Sequence, residues 1–241
     1  MITVPEPIIP TALPRAEITS SRVEAMFALL DGHFAGVTRD QFAADLAEKS
    51  HVILLETAGR LVGFSTLLVY ETLHQGEPVT VVYSGDTIVA PEAWHSPVLA
   101  RAWIATVFDL RRDHPRGRYY WLLLTSGFRT YRFLPVFWRD FFPGCQQPTP
   151  PGMQDLLDQL AREKFDQAYD PIRGVVRFTR PQRLRPELAT LPTGRVTDPH
   201  VAFFLARNPG HLDGDELVCV TELIESNLTA AGRRMVGRPP A

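Results

Sequence analysis

Residues 81–113, VVYSGDTIVAPEAWHSPVLARAWIATVFDLRRD, constrain the fold most, because they read as a strand, a short turn and a long amphipathic helix. Val81, Val82 and Tyr83 open the strand and Thr87, Ile88 and Val89 close it; such β-branched and aromatic runs suit a buried pleated surface. Pro91 has no N–H to give a ladder and ends it. Ser96-Pro97 starts the helix, with Ser as cap and Pro at the first helical position. Leu99, Trp103, Val107 and Leu110, with Ile104 and Phe108 beside them, form one wide apolar face to lie on a sheet. Free N–H groups at such a helix start attract anions, phosphates above all.

The flanking chain supplies partners for that unit. Residues 1–17 are proline-rich and read as an extended arm. Ser20 or Ser21 caps a helix through Phe34, and Thr38 with Gln41 makes a capping-box pattern for a second helix. Residues 51–56 and 61–70 form a hairpin about Ala58-Gly59, and Gly76-Glu77-Pro78 turns into the central strand. Residues 119–125 are nearly all apolar, as in a strand covered on both faces. Pro135 predicts a kink or two short helices, the second starting near it. Residues 153–165 are an amphipathic helix, 174–179 and 217–223 are strands that complete the sheet, and 200–207 and 226–235 are helices before a loose tail. The expected division is an arm (1–17), a core (18–142) and a C-terminal part (143–241) with an insert at about 181–215. A chain of 241 residues, 45% hydrophobic, can bury such a core without disulfides or metals. Cys145 and Cys219 allow one bridge at most, so no metal is expected and a reduced, cytoplasmic setting is the default. The start shows no signal-peptide pattern, no apolar run reaches membrane-span length, and a net charge of −2 gives no reason to expect nucleic acid.

Val89-x-Pro91-Glu92, after this strand and before this helix, resembles the central motif of the GCN5-related N-acyltransferase superfamily. The element order of residues 18–142 is similar too. The resemblance implies an α/β fold with a mixed sheet and a V-shaped opening between strands 81–90 and 119–125, parting near Ala90 and Ser126. It implies an acyl-CoA or acyl-phosphopantetheine donor bound along Val89, Ala90, Trp94, His95, Ser96, Val98, Leu99, Thr125 and Ser126. It departs from the family where Trp94 replaces an Arg or Gln, and where Pro97 and Leu99 replace the two glycines that close on the pyrophosphate: Pro97 removes an N–H and Leu99 adds bulk. An acyl carrier protein, which does not need the full pyrophosphate grip, would suit these departures, with Arg111, Arg112, Arg116 and Arg118 as a basic docking patch.

Acyl transfer to an amine of a small molecule or lipid precursor needs a base and an acid. Asp86 is the candidate base, or else it takes hydrogen bonds at the sheet. Asp86 and Tyr83 face one side only if a bulge intervenes, for which Gly85 is suited. Tyr131 is the nearest candidate acid, within a dense aromatic set over residues 119–142 that reads as core or as a slot for an acyl chain. His211 with Asp213, Asp215 or Glu216 is a second polar cluster, read first as a turn, otherwise as an acid–base pair or a metal fragment; a hydrolase using His211 and Asp215 is a third reading. The alternative function is a non-catalytic lipid- or acyl-binding module on the same fold.

Overall fold

The structure, a computed structural model, describes residues 6–189, 193–195 and 197–236. The first residues of the expected arm, parts of the expected insert and the end of the tail lie outside the described residues. The elements run β1 (Ile9–Pro14), α1 (Ser20–His33), β2 (Phe34–Ala35), α2 (Arg39–Glu48), β3 (His51–Thr57), β4 (Arg60–His74), β5 (Glu77–Val89), α3 (Val98–Leu110) and β6 (Arg118–Thr125). They continue through α4 (Phe128–Tyr131), α5 (Phe133–Phe137), β7 (Phe141–Phe142), α6 (Pro151–Phe165), β8 (Tyr169–Asp170) and β9 (Val175–Val176). The last are β10 (Arg183–Leu184), α7 (Pro186–Ala189), α8 (Pro199–Arg207), β11 (Glu216–Glu222) and α9 (Ala230–Val236).

The fold is α/β. Among the described residues a nine-stranded mixed sheet runs β1-β3-β4-β5-β6-β11-β9-β8, with β7 also paired to β11. Only β5 and β6 are parallel, as a helical crossover through α3 requires. The tight connections are local in origin: Ala58 and Gly59 both have positive φ, 50° and 71°, the backbone of a twist-matched two-residue hairpin turn. Thr38 Oγ1 accepts from Gln41 N at 3.3 Å, but the Gln41 side-chain oxygen is buried without a partner, so half of the capping box forms. Thr19, not Ser20 or Ser21, caps α1 by accepting from Arg22 N.

The proline-rich arm is an edge strand, paired from Ile9 with Glu56 to Pro14 with His51, where prolines are tolerated because one edge needs no donors. The C-terminal part is continuous with the core, since β11 pairs with β6 from Leu217–Thr125 to Glu222–Tyr120. Pro135 lies inside α5, the second of two short helices. No helix among the described residues is long and apolar enough to cross a membrane.

Both sheet faces are covered. Under α3, Trp103 and Trp121 rings stand 4.1 Å apart, Trp121 and Trp138 5.1 Å, and Tyr131 and Phe204 5.7 Å. Of the two readings of the aromatic set, core is the one the structure shows: these rings close on each other and on α8. The opposite face carries α1 and α2 over Phe64 and Ile88, and α6 over Tyr83, Tyr120 and Leu122. β5 and β6 pair from Val79–Arg118 to Ser84–Leu123 and then stop, while β5 continues to Val89. The strands part at Ser84 and Leu123, earlier than the expected Ala90 and Ser126.

Candidate functional site

The site is built on a defect in β5. Ser65 faces Thr87 and Leu67 faces Ser84, so Gly85 and Asp86 together oppose Thr66. The extra residue resets the alternation of side chains. Ser84 faces α3, where its Oγ accepts from Trp121 Nε1 at 2.8 Å. Tyr83 packs on the α6 side, and beyond the bulge Ile88 returns to that same side, against α1 and α2. Asp86 is thereby turned to the face that holds Tyr83. Glycine is required at 85 by space rather than by φ: a Cβ there would collide with Lys49 Cε and lie 2.6 Å from Thr66 Oγ1.

Around this bulge stand the only two lysines of the chain. Lys49 Nζ lies 5.4 Å from the centre of the Tyr83 ring and Lys164 Nζ 5.5 Å from it. The Lys49 side chain is fully buried and pairs with Asp45 at 2.5 Å, while Lys164 pairs with Glu48 at 2.5 Å, linking α6 to α2 over the cleft. Burial, then the charge of Asp45, push the Asp86 carboxyl up to about 7 despite the opposing pull of Lys49. Burial, then Asp86 and Asp45, push Glu216 up to about 8. Burial and these same carboxylates raise Tyr83 well above the usual phenol range, so it keeps its proton. Two titratable carboxyls near neutrality beside a firm hydroxyl donor can take up a cation and its proton.

The expected donor residues gather at the opened end of β5, but they are engaged with one another. Trp94 Nε1 donates to Val89 O at 2.7 Å, and His33 Nε2 lies 3.2 Å from the same oxygen. The Arg129 guanidinium lies 4.2 Å from the centre of the Trp94 ring and donates to Leu188 O at 2.6 Å, so α4 is joined to the turn after β5 across the mouth of the wedge. Ala90 N donates to Val62 O at 2.8 Å, away from the wedge. Val98 N donates to Ser96 Oγ at 3.3 Å, and Val98 and Leu99 pack against Ala90 and Ala93. Thr125 Oγ1 donates to Leu217 O at 3.2 Å. His95 is exposed, and Ser126 lies in the bend before α4. With Pro97 lacking an N–H and the Val98 N–H capped by Ser96, two of the N–H groups expected to hold a pyrophosphate are withdrawn, and the opened strand edge is left for the thioester arm.

Three expectations are corrected by position. Tyr131 OH donates to Pro143 O at 3.0 Å inside the core beneath α8, on the face opposite Asp86, where burial raises its pKa beyond any use as an acid. His211 Nδ1 bonds Asn208 O at 3.0 Å and its ring stands against Phe204, while Asp215 pairs with Arg177 at 2.9 Å, so no His–acid pair forms. Of the basic patch, Arg111 donates to the carbonyls of His114 and Gly117, Arg112 pairs with Asp109 at 2.7 Å, and Arg118 pairs with Glu222 at 2.7 Å. Arg118 also starts β6, so the patch lies at the end remote from the wedge, about 17 Å from Leu123 at ~3.3 Å per residue.

Sequence reasoning missed Asp45, Lys49, Lys164, Thr66 and Arg129, and it assigned Glu216 to His211. One signal was present: an arginine-rich chain with two lysines, one following Asp45 at the four-residue helical spacing. Among the described residues no group of three or more His, Cys, Asp or Glu could hold a metal ion.

No protein-family model and no curated protein matches this chain. Among solved structures it is similar to a conserved protein of unknown function, probable N-acyltransferase, from Enterococcus faecalis V583, at 12% identity and TM-score 0.41, covering 52% of this chain and 31% of that one. A GCN5-related N-acetyltransferase from Kribbella flavida is 14% identical at TM-score 0.40, with 52% and 32% covered. ElaA of Escherichia coli is 17% identical at TM-score 0.36, with 52% and 84% covered. The chain thus spans about a third of the length of the first two.

Proposed function

We propose that this chain is an N-acyltransferase-like domain that moves an acyl group from a thioester donor, acyl-CoA or acyl-phosphopantetheine, to an amine of a small molecule. The observation that carries this reading is the β5 bulge, which turns Asp86 to the face of Tyr83 and Lys49 beside the place where β5 and β6 separate. The donor supplies an activated acyl carbon. The chain's part is proton handling: ionised Asp86 takes the proton from the incoming ammonium, leaving a neutral nitrogen able to attack. As the C–N bond forms and the C–S bond breaks, the second proton of that nitrogen goes to the departing sulfur. Tyr83, which keeps its own proton, offers a hydrogen bond rather than an acid.

A second reading is favoured by one observation: Trp94 and Arg129 close the wedge mouth and occupy the Val89 carbonyl. On this reading the fold holds an acyl ligand without transferring it. The test is mass-spectrometric detection of acylated amines when the full chain, Trp94→Ala and Asp86→Asn are each given acetyl-CoA or a long-chain acyl-CoA with a panel of amines. Transfer by the wild type, faster in Trp94→Ala and lower by ~10²–10⁴-fold in Asp86→Asn, is the expected result. No transfer by either the wild type or Trp94→Ala, with a lipid co-purifying in native mass spectra, overturns it in favour of the binding module.

A further inference from the structure

Glu216 has no part in the reaction above, yet its surroundings are those of Asp86. In β11 Leu217 packs with Trp121 and Leu123 on the α3 side, and Val218 packs with Tyr83 and Leu122 on the α6 side. Alternation places Glu216 on the α6 side as well. β6 lies between β5 and β11 but ends at Thr125, so Asp86 and Glu216 flank its C-terminal end on one face.

Charge balance makes these two the odd pair. α2 presents Asp45, Glu48 and Lys49 to the cleft, α6 presents Lys164, and β5 presents Tyr83. Lys49 is matched by Asp45 and Lys164 by Glu48. Neither Asp86 nor Glu216 has a hydrogen-bonding or ion-pair partner among the described residues. A further group points to a missing partner: Thr66 Oγ1, on a residue with no exposed surface, has no hydrogen bond and stands 2.6 Å from the place a Gly85 Cβ would take. Buried hydroxyls are nearly always bonded, so this one leaves a hydrogen-bonding position unfilled on the face that holds Asp86.

We propose that Glu216 is a second proton-holding group of the acceptor site, and that Asp86 and Glu216 together seat the protonated nitrogen of an aliphatic amine. The pairing stands on the sheet geometry; its use in acyl transfer rests on the function proposed above. The unliganded pair holds one proton near neutrality. When R–NH3+ enters, that shared proton leaves to solvent and the ammonium takes its place between the two carboxylates, so the site's net charge is unchanged. Asp86 then takes one proton from nitrogen, Glu216 accepts a hydrogen bond from it, and the pair returns to its singly protonated state as the amide leaves. Substrates that arrive uncharged, such as arylamines or alcohols, lack the cation this pair requires.

The test is carbon-detected NMR titration of the Asp and Glu carboxyls in wild type, Asp86→Asn and Asp86→Glu, with the Glu216 signal assigned from Glu216→Gln, run alone and with butane-1,4-diamine or aniline. Removing the Asp86 charge lowers the Glu216 midpoint by about one pH unit in Asp86→Asn, while Asp86→Glu restores it. The diamine, and not aniline, lowers the wild-type midpoint too. Where turnover is measured, Glu216→Gln raises the alkylamine KM by about tenfold, the loss of one charged partner. A Glu216 midpoint that is the same in wild type and Asp86→Asn overturns the proposal. A midpoint that moves as expected in a protein that acylates nothing supports the pair and overturns the acyl-transfer reading instead.

Discussion

Holding two carboxyls near neutrality makes the fold sensitive to alkali. Asp86 is raised from 3.8 to about 7 and Glu216 from 4.5 to about 8. A carboxyl raised on folding contributes stability that is complete below its unfolded pKa and lost as pH climbs through its folded one, because the unfolded chain ionises first and freely. The window is therefore from about pH 4 to about pH 8. Each shift is near three units, and at 1.36 kcal/mol per unit the pair costs on the order of 4 kcal/mol between pH 5 and pH 9, after allowing for the part each shift owes to the other. For a chain of this size that is roughly 10 °C in Tm. The assay is thermal unfolding across that range for the wild type and for Asp86→Asn/Glu216→Gln. The wild type falls steeply towards pH 9 and the double variant stays level and is the more stable at pH 9. His51 and His200, both lowered by burial, act with the opposite sign, gaining stability as pH rises through the range below 6.5, and do so equally in both proteins. Parallel profiles for the two proteins would refute the reasoning, since the carboxyls would then titrate as they do in water.

Three further outcomes follow from single contacts. Gly85→Ala drives a methyl against Lys49 Cε, whose side chain has no exposed surface to escape through, and is expected to cost about 1–3 kcal/mol in chemical denaturation. Tyr131→Phe removes only the bond to Pro143 O, costing about 1 kcal/mol and leaving any transfer rate unchanged, a result read from unfolding and turnover side by side. Asn227→Ala deletes a side chain that accepts from Asp140 N and donates to Asp140 O, Thr221 Oγ1 and Glu222 O; about 2–3 kcal/mol is the expected loss in denaturant unfolding.

Local chemistry was legible from the residues alone wherever one short stretch decides the backbone. The hairpin at Ala58-Gly59, the Thr38 cap, the strand and helix within residues 81–113 and the division around Pro135 each follow from propensity, turn geometry or a missing N–H. Gly85 was legible as the place for a bulge, but the contacts that demand a glycine there, Lys49 and Thr66, were not. Whatever depends on which surfaces meet was not. Tyr131 and Asp86 look like partners along the chain, yet β5 and α4 carry them to opposite sides of one sheet. Glu216 follows His211 by five residues, yet β11 hands it to Asp86, more than a hundred residues earlier. Arg111 and Arg118 read as members of a free basic patch until the fold supplied carbonyls for one and Glu222 for the other. Sequence spacing fixes a side chain's direction within its own element. Pairing across the sheet sets its neighbours, and with them its charge, its hydrogen bonds and its chemistry.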